Sequence, residues 1–127
     1  MAHFGPGHTD SDLVVHVPDA GVVYAGDLVE QGAPPAFEDS FPHLWPAAVD
    51  GIIGLAPTVV SPGHGDPVDV DFVTAQRAEL ALISELGAGV IAGRCSRRDA
   101  LVRSPYSDVV LGSVIERTRA TRPQSAK

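Results

Sequence analysis

The sequence has no lysine or arginine before Arg77, so the nine basic residues all fall in the final part of the chain. Eleven acidic residues precede Arg77, giving a formal balance of −11 up to residue 76 and +4 beyond it, against −7 overall. The first part therefore repels phosphate backbones, and any nucleic-acid footprint would have to rest on Arg94, Arg97, Arg98 and Arg103. Basic residues spread along one helix face are ordinarily solvated, so no nucleic-acid partner is expected. Cysteine is limited to Cys95, which excludes a disulfide within the chain. No apolar run approaches the roughly 18 residues of a membrane helix, and Met1 to Gly5 lack a basic start followed by an apolar stretch. A cytoplasmic protein with no membrane partner is the expectation. What remains, 127 residues with 44% hydrophobic and 20% charged side chains, is the composition of one folded domain with a core of its own.

Local patterns divide the chain into strands and helices. Leu13, Val15 and Val17 alternate with Asp12, Val14 and His16, as in a strand, and Pro18-Asp19-Ala20-Gly21 reads as a turn. Val22 to Ala25 form a second strand ended by Gly26, so the two predict an antiparallel hairpin. Gln31 to Phe41, with Gly32, Pro34 and Pro35, read as a surface loop before a short helix that opens near Pro46 and runs to about Ala56. Thr58 to Ser61 predict a short central strand stopped by Pro62-Gly63. From about Asp71, the spacing of Phe72, Leu80, Ile83, Leu86 and Val90 marks an amphipathic helix, with Asp69 or Asp71 as its cap. Ser96 opens a helix that ends before Pro105, and Ser107 caps the last one. The expected domain covers residues 1–118, with a polar, frayed tail over 119–127.

Three segments place a metal-ligand type beside glycine after a strand-like run: Gly5-Pro6-Gly7-His8-Thr9, Gly26-Asp27 and Pro62-Gly63-His64-Gly65. If those strands are neighbours, His8, Asp27 and His64 converge at one edge, and imidazole with carboxylate suits zinc, with iron or manganese as other occupants. The same residues also suit plain turns: histidine beside glycine is a common turn residue, and Asp27 fits an Asx turn. His16 belongs to a strand, His43 to a Pro-rich loop and His3 to the terminus, and all three are read as structural. Cys95 has no histidine near it in sequence, and no Gly-x-Ser-x-Gly is present, which argues against thiol and serine nucleophiles.

Taken in order, Gly5-Pro6-Gly7-His8-Thr9-Asp10-Ser11-Asp12-Leu13-Val14-Val15, Val22 to Leu28 with Gly26-Asp27, and Pro62-Gly63-His64-Gly65 resemble the second half of the metallo-β-lactamase superfamily. The resemblance spans His3 to about Leu86. It implies an α/β fold: the C-terminal half of an αββα sandwich, with one mixed or antiparallel sheet, helices on one face and the N-terminal half missing. It implies two metal ions, zinc first, with His8 on one, His64 on the other and Asp27 bridging them. The implied activity is hydrolysis of a small-molecule substrate by water activated at bound metal. The substrate class stays open among lactams, thioesters, lactones and phosphoesters. Leu28 does not continue into the Thr-Leu-Phe of a glyoxalase II, and Asp27 stands where one β-lactamase subclass has cysteine.

The family's His-x-His-x-Asp-His signature is absent from these residues. Each ion would keep two protein ligands where a catalytic zinc ordinarily has three, so the chain alone is expected to be inactive. Three accounts fit: part of a complete hydrolase, a half that pairs with an N-terminal half in trans, or a non-catalytic half-domain that dimerises as a binding module. Val14 beside Leu13 and Val15, with the pair Val22-Val23, predicts strands buried on both faces, which favours a missing layer. Phe37, Phe41 and Trp45 either line a substrate pocket or pack their loop onto the core.

Overall fold

The computed structural model describes residues 1–121 of the chain. Its sheet has three strands in the order β1-β2-β3: β1 (Val15–Val17), β2 (Val22–Glu30) and β3 (Val59–His64). β1 and β2 form the expected antiparallel hairpin, with Val15 opposite Tyr24 and Val17 opposite Val22. The turn between them is one 3-10 turn, Pro18–Ala20, closed by the Gly21 N–H donating to Pro18 C=O at 3.1 Å. β2 and β3 run parallel, with Val23 opposite Val60. A parallel pair needs a crossover, and here the crossover carries the Pro-rich loop and α1 (Trp45–Gly54).

Beyond β3 the chain is helical: α2 (Val70–Ile91), α3 (Arg97–Arg103) and α4 (Asp108–Thr121). The caps are those the sequence signals. The Asp69 carboxylate accepts from Phe72 N–H at 2.9 Å, and Ser96 Oγ accepts from Asp99 N–H at 3.0 Å. Each satisfies an amide that the first helical turn leaves unpaired.

The core lies between one sheet face and the helices. Val14, Val23, Ala25 and Val60 are buried from the sheet side, against Trp45, Val49 and Ile52 of α1 and Val73, Leu80 and Ile83 of α2. Leu111, Val114 and Ile115 extend the core through α4. α1 and α2 lie on the sheet, while α3 and α4 pack on α2. The architecture is thus mixed α/β with helices on one face.

Several expectations are corrected. β2 does not end at Gly26: it continues to Glu30 through two register irregularities, because the parallel partner β3 keeps supplying backbone groups beyond the hairpin. β3 likewise runs through Pro62 and Gly63 to His64, and in the described sheet it is an outer strand, with β2 in the centre. α1 stops at Gly54, short of Ala56, whose φ of +52° lies outside helical space. α4 continues through Arg119 to Thr121, so the expected frayed tail does not begin at Arg119; positions 122–127 of that tail lie outside the described residues. The hairpin strands are buried on one face only, since Leu13 (54% exposed), Val15, Val17 and Tyr24 (51%) face solvent together, whereas the far end of β2 is buried at consecutive residues, Leu28, Val29 and Glu30.

Removing the α2 cap tests how far this helix depends on its first turn. Asp69→Ala is expected to lower unfolding stability by about 1 kcal/mol, read as a shift in the urea midpoint at unchanged slope. No shift would mean that water replaces the carboxylate at no cost.

Candidate metal centre

His8, Asp27 and His64 come from three separate backbone segments, and close backbone packing brings them together. Gly7 sits against the far end of β2: a Cβ there would lie 2.8 Å from Leu28 Cδ2 and 3.4 Å from Ala48 Cβ. Gly63 of β3 lies directly beside Asp27, and a Cβ at this position would fall on the Asp27 carboxylate. Glycine is required at both places by lack of space, which is the physical content of the two Gly-His pairs. As a result His64 Nδ1 is 3.2 Å from Asp27 Oδ1, while His8 Nε2 is 4.0 Å from Asp27 Oδ2. The two oxygens of one carboxylate face two different imidazoles.

The His8 ring is oriented from behind. Asp12 is fixed by Thr9, whose N–H donates to Oδ2 at 2.8 Å and whose hydroxyl donates to Oδ1 at 3.0 Å. Asp12 Oδ1 stands 3.5 Å from His8 Nδ1, so the opposite ring nitrogen is the one turned toward Asp27. Trp45 meets the same ring edge-on, with centroids 5.7 Å apart, and is itself anchored by its indole N–H donating to Leu28 C=O at 3.1 Å. A carboxylate behind an imidazole is the usual means of fixing the tautomer and direction of a ligand histidine.

Glu30 is a fourth member that the sequence does not signal. Its Oε2 is 3.1 Å from His64 Nδ1, and the residue is only 6% exposed. Asp27 and Glu30 are three apart, and in a regular strand they would point to opposite faces. The register irregularity between Gly26 and Glu30 removes that parity and turns both carboxylates to one place. Gln76 of α2 holds the Glu30 backbone, its side-chain amide donating to Glu30 C=O at 2.7 Å and its Oε1 accepting from Glu30 N–H at 3.0 Å. Burial pushes the Glu30 carboxyl up to about 7, with the hydrogen bond and charge of Asp27 adding to the rise and His64 opposing it.

Asp27, Glu30 and His64 each offer a ligand atom within 4.8 Å of the others. One imidazole nitrogen and two carboxylate oxygens at that spacing fit a single divalent cation. The local charge fits as well, because a buried carboxyl raised by a neighbouring carboxylate is relieved by a positive ion. His8 stands on the remaining oxygen of Asp27.

The other sequence candidates fall elsewhere. His3 Nδ1 donates to Asp12 C=O at 2.8 Å. Phe37 and Trp45 are buried and in ring contact at 5.1 Å, so they pack the loop onto the core. Phe41 lies under the Arg117 guanidinium and borders a separate cleft with Thr9 and Asp39. Ser40 is buried, its hydroxyl donating to Phe37 C=O. Cys95 packs beside the core beyond the end of α2. Among the described residues no helix is long and apolar enough to cross a membrane.

Comparison with known proteins follows the same lines. The sequence profile of the metallo-beta-lactamase superfamily matches residues 1–64, half of the chain. Among solved structures, VMB-1 is 29% identical over 61% of this chain and 37% of its own, with a TM-score of 0.55. A metallo-beta-lactamase from Pontibacter korlensis is 26% identical over 62% of this chain and 39% of its own, with a TM-score of 0.58. FIM-1 from Pseudomonas aeruginosa, in its mono-zinc form, is 29% identical over 61% and 36%, with a TM-score of 0.54. No curated protein sequence matches. The chain spans little more than a third of the length of these solved relatives.

The raised Glu30 carboxyl makes the metal-free fold sensitive to pH. The folded state holds this proton more tightly than the unfolded chain, so its contribution is complete below 4.5 and is lost as pH rises to about 7. With chelator present, the urea midpoint is expected to fall across that window and Glu30→Gln to flatten the fall. An identical slope in both proteins would show that the Glu30 side chain is solvated.

Proposed function

The chain belongs to the metallo-beta-lactamase superfamily, and on that premise we propose that it supplies part of the metal centre of a metal-dependent hydrolase. In this reading His8 would help to hold one ion, His64 the other, and Asp27 would serve both. The observation that carries it is the division of one carboxylate between two histidines, Oδ1 toward His64 and Oδ2 toward His8. A divalent cation held there would lower the pKa of a water and polarise a small substrate's scissile group. Asp12 and Trp45 keep His8 aimed at the centre, and Gln76 keeps the end of β2 in place.

Zinc is the first ion to test. The nitrogen and oxygen donors suit it, and iron or manganese would accept the same set. Among the described residues an ion on the His8 side has two protein ligands, His8 and Asp27, fewer than the three of a catalytic zinc. Hydrolysis by the whole protein therefore depends on further ligands, and the isolated chain is inactive in this proposal. A small-molecule substrate follows from the same reading, with no nucleic acid or membrane as partner.

A second reading is favoured by the sheet. The open face of Leu13, Val15, Val17 and Tyr24 suits a non-catalytic module that dimerises or pairs in trans with an N-terminal half.

Zinc titration by calorimetry, with metal content measured after gel filtration, tests the first reading. Wild type is expected to retain zinc and Asp27→Ala to lose it, because that carboxylate serves both sides of the centre. Metal content unchanged by Asp27→Ala would falsify the assignment. With chromogenic lactam, thioester and phosphoester substrates, the chain is expected to show no turnover above free zinc. Turnover that survives purification and disappears with a chelator would overturn the inactivity, and a stable metal-free dimer with no zinc affinity would favour the second reading.

A further inference from the structure

Glu30 has a second environment besides the candidate metal centre. It borders a cavity of about 390 Å³ between the loop at residues 32–35, the start of α2 and the segment 105–107. That volume is within the range of roughly 300–1,000 Å³ that small-molecule sites occupy. Pro34, Pro35 and Pro105 are in its wall, so much of the backbone around it has φ fixed in advance. Phe72 and Tyr106 add aromatic surface.

The ionisable groups in this wall are Glu30, Glu79 and Tyr106, and no lysine or arginine is among them. Arg77, the nearest basic residue in sequence, is turned to Asp50 in a two-bond ion pair of 3.0 and 3.1 Å. Among the described residues, no ion pair links Glu79 to a cation. Its charge is felt at Tyr106, whose phenol is pushed up by burial first and by the Glu79 carboxylate second. The cavity is therefore apolar and aromatic, with one uncompensated carboxylate and a floor that leads to His64 through Glu30.

We propose that this cavity binds a small apolar molecule carrying an ammonium group, the ammonium beside Glu79 and the apolar body between Phe72 and Tyr106. A carboxylate or phosphate ligand is disfavoured here by the same charges. Cations gain both from the carboxylate and from aromatic faces, whereas anions lose on both. Calling the ligand a substrate rests on the hydrolase reading, since Glu30 then joins the cavity to the metal centre; binding itself does not need the metal.

The test uses the full 127-residue protein with EDTA present and three probes of one shape: naphthylmethylamine, naphthylmethanol and naphthoate. Binding is followed at neutral pH through backbone amide shifts. The amine is expected to bind about fivefold more tightly than the alcohol, naphthoate more weakly than either, and shifts to centre on Ala33, Phe72, Gln76 and Tyr106. Glu79→Gln is expected to reduce the advantage of the amine over the alcohol, to what the aromatic faces alone supply, without changing the alcohol. Ala33→Trp, which fills the cavity, is expected to abolish binding of all three. Naphthoate binding as tightly as the amine, shifts centred elsewhere, or an amine preference undiminished by Glu79→Gln would overturn the proposal. Because these titrations contain no metal, failure of the hydrolase reading leaves their outcome unaffected, and unchanged zinc binding by Glu79→Gln separates the two sites.

Discussion

The arrangement of this protein depends on the seating of the Asp27 carboxylate against the backbone of β3. β2 and β3 run parallel and stay paired past the point where the hairpin partner ends, and the missing side chain at Gly63 makes room for the carboxylate. That contact sets where β2 can place its irregularities and therefore where Glu30 points. It also sets the distance at which His64, the last residue of β3, meets both carboxylates. A side chain at residue 63 would separate the strands exactly where the donors assemble, so packing and chemistry share one constraint.

The convergence of His8, Asp27 and His64 was legible in the sequence because these residues are marked by glycine. His8, Asp27 and His64 each stand beside a glycine after a strand-like run, and two of those glycines are required by close approach. Glu30 left no such mark, since a spacing of three from Asp27 contradicts strand parity and only the register irregularity reconciles them. Asp12 reads as the start of a strand, whereas β1 begins only at Val15, and its role behind His8 comes from the turn that folds Thr9 back on it. The helices were legible through caps and period. Strand ends were less so: Pro62-Gly63 reads locally as a stop, yet parallel pairing with β2 carries the strand through both residues.

The distribution of charge has a structural counterpart. The part of the chain without lysine or arginine supplies the centre, where Asp12, Asp27 and Glu30 lie within reach of two histidines, and it supplies most of the cavity wall next to it, although the carboxylate of Glu79 comes from beyond Arg77. The basic residues belong to the helical part. There Arg77 pairs with Asp50 across to α1, Arg97 with Asp108, and Arg117 covers Phe41 while its Nε donates to Ser40 C=O. Cations thus tie helices and loops together on the outside, and the region around the donors is left with a field that favours positive species.

The single tryptophan has a consequence of another kind. Trp45 is fully buried, its indole N–H is held by Leu28, and its ring meets His8 edge-on. An excited indole gives up electron density to an electron-poor imidazole in contact with it far more readily than to a neutral one. The single tryptophan therefore sits in ring contact with His8, and emission excited where Tyr24 and Tyr106 do not absorb comes from that one contact, with no label attached.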